Sequence, residues 1–541
     1  MFIYKKETKG TYMFNKNHEK TAQELPPSVE EIKTTILKTV ECIIVFCCER
    51  KCEKNNFFNM EKELSKRISA LGCLFFQLFL TSFHEQFDYS KWIEDASCYK
   101  AKILARTIKT VYGKVRYWRR YMIYKKGGGF YPFDVEIGLF RDGFSPRVMS
   151  LATKLATRMS FSASVLLFKC FYGWSPSTEA IEALVLGMGK HAPAYMDQMG
   201  HFEDDGEILI IEVDGKATPT ATEKELAKRR GKRKNKKKSC CQRHRSPKRI
   251  RGQKKRRKKG DKSKNGRSIT LVAIYTLKIG EDGKLHGPIN KKIWGSYAPR
   301  KEMLQWARNQ ATNRGFTPDS KKRVHIALDG EKCLYDGLSK LFPDATFALD
   351  IRHLEEKIWK VGRTFYKEGT KELEEWVEDK REYLYTGRVS ELITELKKIV
   401  LTLSFRAKRD KAKREALLGL IKYMEPRIEM MNYKKLIDED MVIASGIIEG
   451  AARYVIGERM DCGGMRWIPE RAEALLRLRC IELNGDWDHF FEWGYQHWME
   501  KMKLGEKVII RQEKPDELCK IPPLCIGDSA TGSNDQQQVA A

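Results

Sequence analysis

The chain has 541 residues and a formal charge of +29, with 42% of its residues hydrophobic. That length excludes one ordinary core and predicts two to four domains. The charge excludes a typical metabolic enzyme and asks for a polyanion: nucleic acid first, because neutralised phosphates release counterions, then a membrane surface, then a ribosomal-type role. A mixed polar stretch follows Met1, with no basic-then-apolar leader, and the apolar run 71–83 is short for a bilayer. A soluble cytoplasmic protein with no membrane partner is expected. The 14 cysteines are scattered, and Cys42, Cys47, Cys48 and Cys52 fall in an apparent helix without paired CxxC knuckles. Small buried hydrophobes are expected there, not a zinc ribbon.

Residues 1–27 read as a polar lead-in, and 28–108 as helical, with Ile36, Leu37, Val40, Ile43 and Ile44 at helix spacing. Residues 107–124 are aromatic and β-branched, predicting a hairpin that Gly127, Gly128 and Gly129 break. Three short helical blocks follow. Pro146 starts the first, 161–171 is the second, and after a Gly173-bearing turn 178–187 is the third. A helix-turn-helix that reads DNA and a plain helical bundle both fit this pattern.

Strand signals then appear at 208–214, 268–277 and 287–295, a helix at 300–314, a strand at 323–329, a helix at 332–342 and a strand at 345–350. The order β-β-β-α-β-α-β is the layout of an RNase H-like fold, which gathers acids on one edge of a twisted sheet. Between the first two strands, 228–267 carries Lys or Arg at more than half its positions, including Lys254, Lys255, Arg256 and Arg257. Such a like-charge run is expected to be unstructured and to contact nucleic acid. Residues 352–435 read as charged helices, an insertion. Helices follow from 445 and over 469–483, then a linker-like tail after 505, with 527–541 disordered.

Asp214 and Asp329 both end strongly apolar strands, where an unpaired acid is costly unless a cation faces it. Phosphodiester cleavage by two metals needs such converging carboxylates. Each aspartate alone reads as a turn or helix cap, because each precedes a glycine; together, in this strand order, they read as a pair. Glu212 and Asp336 are the competing acids and look placed for solvent or a helix surface. Glu449 is the third candidate, with an ion pair to Arg453 one turn on as its plain alternative. Asp350 ends a strand and His353 starts a helix, so the pair fits a helix cap with a packed imidazole or a group supporting a metal or phosphate.

The segments Phe130-Tyr-Pro-Phe-Asp-Val-Glu-Ile-Gly-Leu139, Glu212-Val-Asp-Gly-Lys-Ala-Thr-Pro219 and Ala327-Leu-Asp-Gly330 form a recognisable set. Phe342-Pro-Asp-Ala-Thr-Phe-Ala-Leu-Asp-Ile-Arg-His353, Trp359, Ser445-Gly-Ile-Ile-Glu-Gly450, Arg459-Met460, Gly464-Met-Arg-Trp467, Leu478-Arg479 and Asn484-Gly-Asp-Trp487 complete it. Over about 105–495 the chain resembles the Kra-type transposases of bacterial insertion sequences, a DDE group related to Mutator-like elements. The resemblance implies that Asp214, Asp329 and Glu449 are the catalytic acids and hold two Mg²⁺ or Mn²⁺ ions, and that Asp350-x-x-His353 is an accessory motif. It implies a nucleoid-associated enzyme that cuts the ends of an insertion sequence and joins the freed 3′-hydroxyl to target DNA, as a homodimer or larger assembly on double-stranded DNA. Arg459, Arg466 and Trp467, near the third acid, become candidates for phosphate contact and base stacking, with packing as their alternative. Two features depart from the group: no cysteines stand around 124–130, and the basic block is long. An RNase H-fold nuclease that cuts without joining, and a non-catalytic DNA- or RNA-binding derivative, are the rival readings.

The expected architecture is α/β: an RNase H-like core interrupted by an all-helical insertion and preceded by a helical and helix-turn-helix region. Its divisions are 1–108 helical, 109–200 hairpin and helix-turn-helix, 201–350 first part of the core with the basic insertion 228–267, 351–444 helical insertion, 445–504 last part of the core, and 505–541 flexible tail.

Overall fold

A computed structural model describes residues 26–49, 57–96, 98–124, 128–198, 202–226, 266–404, 407–462, 465–516 and 519. The chain is mixed α/β and divides into two compact units, Met1–Val148 and Met149–Ala541.

In the first unit, α1 (Val29–Glu49), α2 (Phe57–Gln86) and α3 (Ser90–Ala96) precede a three-stranded antiparallel sheet of β1 (Cys98–Thr110), β2 (Gly113–Tyr124) and β3 (Gly129–Phe130), followed by α4 (Pro132–Glu136). The expected hairpin is there, but its first strand begins at Cys98, so the helical reading of 28–108 is corrected at its end. The β-branched and aromatic residues of 98–124 pair across a tight turn at Val111 and Tyr112 and pack Ile108, Val115 and Tyr117 against Leu80 and Phe133. Asp134 is buried here and accepts from Tyr117 Oη at 2.7 Å and Arg106 Nη1 at 2.9 Å. Cys42, Cys47 and Cys48 are exposed, correcting their reading as buried hydrophobes. The apolar run 71–83 lies within the 30-residue α2, the one described helix long and apolar enough to cross a membrane by length and composition.

The second unit is built on a five-stranded sheet. Its strands are β4 (Ile208–Pro219), β5 (Gly266–Ile279), β6 (Leu285–Ser296), β7 (Arg323–Leu328) and β8 (Thr346–Leu349), in the order β6-β5-β4-β7-β8. β5 is antiparallel to both β4 and β6, while β4, β7 and β8 run parallel. The continuous apolar run of β4 follows from this place: as the central strand it is covered on both faces, and 208–213 are all buried. Ile208 and Ile210 pack with Tyr275, Ala348, Leu436 and Met441, so the chain returning from the helical insertion roofs that side of the sheet.

Around the sheet lie α5 (Pro146–Arg158), α6 (Phe161–Tyr172), α7 (Thr178–Gly189), α8 (Ala192–Gln198), α9 (Arg300–Asn313) and α10 (Lys332–Leu341). The expected insertion is helical throughout its described residues: α11 (Ile351–Gly362), α12 (Lys371–Tyr385), α13 (Val389–Thr402), α14 (Lys408–Met424), a 3-10 segment (Glu425–Met431) and α15 (Tyr433–Asp438). After it come α16 (Gly446–Ala451), a π-helical stretch (Ala452–Gly457), α17 (Glu458–Met460), α18 (Pro469–Leu483) and α19 (Trp487–Lys503).

Two stretches pack in ways the sequence did not show. α7, the second helix of the candidate helix-turn-helix, buries Ile181 and every residue from Leu184 to Gly189 and packs on α18, with Glu179 exposed in its first turn. The stretch after Gly505 is not simply a linker: Ile510 is buried, Gln512 N–H donates to Ala183 O at 2.8 Å, and a Cβ at Gly187 would meet Ile510 O. The basic block lies outside the described residues up to 265, as does 527–541.

The edge strand β6 is capped by the motif 484–487. Asn484 exchanges both backbone hydrogen bonds of Ile293 through its amide, Asp486 pairs with Lys292 Nζ at 2.6 Å, and Trp487 Nε1 donates to Ser150 Oγ at 3.0 Å. These side chains blunt an otherwise open edge.

His191, between α7 and α8, supplies a pH-dependent element. Its Nε2 accepts from Trp498 Nε1 at 3.2 Å, and burial, with the charges of Lys190, His497 and Lys501, holds its pKa down to about 3. The unfolded chain takes up this proton near pH 6.5. Because the folded pKa lies below the unfolded one, protons favour the unfolded state, and stability falls as pH drops from about 6.5 towards 3. The slope from this group is at most about 1.4 kcal/mol per pH unit. Urea midpoints between pH 7.5 and 5 are expected to fall less steeply for His191→Gln than for the native chain; equal slopes would contradict this account.

Candidate active site

β4 does not end at Asp214, as its sequence suggests, but continues paired with β5 to Pro219. Its pairing with β7 does end there: Val213 faces Leu328, and Asp214 and Asp329 are the next residues on two adjacent parallel strands. Parallel strands leave the pair at the same level of the sheet, which is why two acids far apart in sequence become neighbours. Both are half-buried. Asp214 Oδ1 accepts from Gly215 N at 2.6 Å, and Asp329 Oδ1 from Glu331 N at 3.0 Å. Burial pushes the Asp214 carboxyl upward; the Gly215 bond lowers it, the charges of Asp329 and Glu449 raise it again, and His353 opposes them.

Glu449 sits on α16, with its side chain partly exposed. Its Oε1 lies 3.4 Å from His353 Nδ1, and no ion pair to Arg453 is present among the described residues. His353 is also 3.5 Å from Asp350 Oδ2. The Asp350 carboxylate beside it raises the His353 pKa to about 9 against the effect of burial, and the charges of Glu449 and Asp329 add to the rise. Donor atoms of Asp350, His353 and Glu449 fall within 4.8 Å of one another.

Asp350 itself is fully committed. It caps α11, Oδ1 accepting from Arg352 N at 2.7 Å and His353 N at 3.2 Å, while Oδ2 accepts from Ser445 N at 2.8 Å and from Ser445 Oγ. Burial would raise this carboxyl, but the bonds from His353 and Ser445 hold it well below the usual range. The helix-cap reading therefore describes Asp350, and the buried carboxylate fixes the start of α16 as well as that of α11.

Glu212, expected to face solvent, is buried in the sheet. Its Oε1 accepts from Tyr275 Oη and its Oε2 from Ile448 N, each at 2.8 Å. Burial raises its pKa to about 7 in spite of those bonds. Asp336 is exposed on α10, as expected. On the other side of the site, α14 and the 3-10 segment of the insertion reach the Asp329 loop: Tyr423 Oη donates to Asp329 O at 2.7 Å and Arg427 Nε to Gly330 O at 2.8 Å. Gly330 is in the left-handed region with φ +80°, and a Cβ there would run into Arg427 and Leu349.

Arg459 does not reach a nucleic-acid backbone. It is buried, its Nε donates to Ala156 O at 2.9 Å, and its guanidinium lies between the rings of Phe161 and Trp467. Trp467 is half-buried; its Nε1 donates to Met460 O at 2.9 Å and its backbone bridges Pro219 and Ala221. Packing therefore accounts for both residues. Arg466 is half-buried next to them. Lys254, Lys255, Arg256 and Arg257 lie outside the described residues. Sequence reasoning missed Arg479, which is buried and donates to Val455 O at 2.8 Å, Thr157 O at 2.5 Å and Tyr454 O. Lys216 and Ser445, like Arg479, stood in the quoted segments without a role, and Tyr423 and Arg427 were not singled out. The one signal for Glu212 was an acid inside an otherwise apolar strand run.

The charges of Asp329 and Glu449 both act on Asp214, and carboxylates of this kind suit a hard divalent ion better than a soft one. The ligand atoms that fall within 4.8 Å of one another are those of Asp350, His353 and Glu449, and Asp350 has both of its oxygens engaged. No protein-family model matches the chain, and no curated protein matches it.

Replacing Asp350 leaves several buried donors without an acceptor. Asp350→Ala is expected to lower the unfolding free energy by about 3 kcal/mol, and Asp350→Asn by clearly less, because a carbonyl oxygen still accepts. Denaturant titration measures both; an unaffected Asp350→Ala would show that the carboxylate does not hold the two helix starts.

Proposed function

We propose that this chain is a DDE-type DNA transposase that cleaves the ends of a mobile element and joins the resulting 3′-hydroxyl to target DNA. The observation that carries the reading is the side-by-side placement of Asp214 and Asp329 on parallel strands, with Glu449 near enough for its charge to act on Asp214. The order and directions of the strands support an RNase H-like core, and the all-helical stretch between the second and third acids supports an insertion domain of the kind that the resemblance implies.

Two Mg²⁺ or Mn²⁺ ions on these carboxylates would activate the attacking oxygen and stabilise the leaving one. The chain's own residues orient the acids: the parallel register aligns the two aspartates, and Asp350, through Ser445, fixes the start of the helix bearing Glu449. No side chain of the set is a nucleophile in this scheme, so no covalent enzyme intermediate forms. Double-stranded DNA is the proposed partner, in a dimer or larger assembly, because two element ends must be brought together.

Purified protein is to be incubated with Mg²⁺, supercoiled plasmid and linear DNA carrying the sequences that flank its own gene. The native chain is expected to cut at the element ends and join them to plasmid. Asp214→Asn, Asp329→Asn and Glu449→Gln are each expected to lose about a thousandfold in rate, the equivalent of several kcal/mol of transition-state stabilisation. Cutting without joining would assign a nuclease instead. Undiminished cutting by the three variants would remove the acids from the chemistry.

A further inference from the structure

We propose that Glu212 and Lys216 are positioning residues that grip the Glu449-bearing helical run on either side of Glu449 and so fix where that carboxylate stands relative to Asp214. The inference rests on the reading of Asp214 and Glu449 as acids of one site. The β4–β5 register is unbroken from Ile208 to Pro219, so Glu212, Asp214 and Lys216, at alternate positions, share one face of the central strand. The middle residue is the proposed acid, and the outer two reach the same helical run.

Glu212 Oε2 accepts from Ile448 N at 2.8 Å, one residue before Glu449. Lys216 Nζ donates to Ala452 O at 3.1 Å, where α16 passes into the π-helical stretch. First-turn N–H groups are among those that a helix leaves without internal partners, and a carboxylate there matches the sign of the helix dipole. The Lys216 ammonium adds a donor to a carbonyl of the π-helical stretch. The fit at Lys216 is close: a Cβ on Gly457 would stand 3.3 Å from its Nζ.

Glu212 is better suited to hold the helix than to bind metal. One of its oxygens takes Tyr275 and the other Ile448, so both are occupied by donors. Burying an acid where leucine would pack is costly unless its hydrogen bonds accomplish something that packing alone cannot. Here they tie a backbone N–H next to Glu449 to a strand position two residues from Asp214.

The test uses the full-length protein without DNA and two readouts: hydrogen–deuterium exchange of peptides spanning 445–457, and Mn²⁺ binding followed by electron paramagnetic resonance. Glu212→Ala and Lys216→Met are expected to speed exchange in this segment about tenfold and to weaken Mn²⁺ binding at least tenfold. Glu212→Gln and Lys216→Arg, which keep an acceptor and a donor, are expected to restore most of both. Asp214→Asn serves as the reference, losing Mn²⁺ binding with exchange over 445–457 unchanged. Native exchange in both disruptive variants would overturn the proposal, as would faster exchange with Mn²⁺ binding intact. If Asp214→Asn keeps full Mn²⁺ affinity, the metal reading of the site fails instead, and the grip is decided by exchange alone. Should Glu212→Ala not fold, the half-buried Lys216→Met carries the same outcomes.

Discussion

Negative charges placed side by side in a half-buried setting repel one another, and much of the second unit is organised around that cost. The parallel pairing of β4 with β7 stops at Val213 and Leu328, leaving Asp214 and Asp329 level with each other. Each strand is held by its apolar neighbours, so neither aspartate can withdraw without breaking the sheet. Glu449 joins them from a separate helix, and its charge adds to the upward push on Asp214. The positive counterweight on hand is His353, whose pKa the neighbouring Asp350 carboxylate raises and which stands 3.4 Å from Glu449.

Buried polar groups hold the helical run that follows residue 445. Asp350 fixes its start through Ser445, Glu212 accepts from its first turn, and Lys216 and Arg479 donate to carbonyls in and beside its π-helical stretch. A π-helix shifts the intrahelical bonding pattern. An arginine as deeply buried as Arg479 is tolerated because its guanidinium donates to three backbone oxygens, those of Val455, Thr157 and Tyr454.

The strands and the order of the elements were legible in the sequence because hydrophobic runs of the right length, bounded by Gly and charged residues, leave few alternatives. The positions of Asp329, Asp350 and His353 were also legible, since they fall where an apolar strand gives way to a turn or helix; Asp214 instead lies inside β4, at the end of its pairing with β7. What failed depended on tertiary neighbours. Periodicity could not tell that the second half of α7 would pack on α18. Arg459 looked like a phosphate ligand because charge is usually exposed, but Phe161, Trp467 and a backbone carbonyl surround it. Glu212 was misplaced for the same reason: the N–H that it serves lies 236 residues away along the chain.

The contacts from Tyr423 and Arg427 have a mechanical meaning. They attach the far end of the insertion to the backbone of Asp329 and Gly330, not to their side chains. Glycine at 330, with its unusual backbone angle, lets that attachment come close. A load applied to the insertion is thus transmitted to the second aspartate as a displacement of its main chain, making the insertion a lever whose short arm ends at the acid.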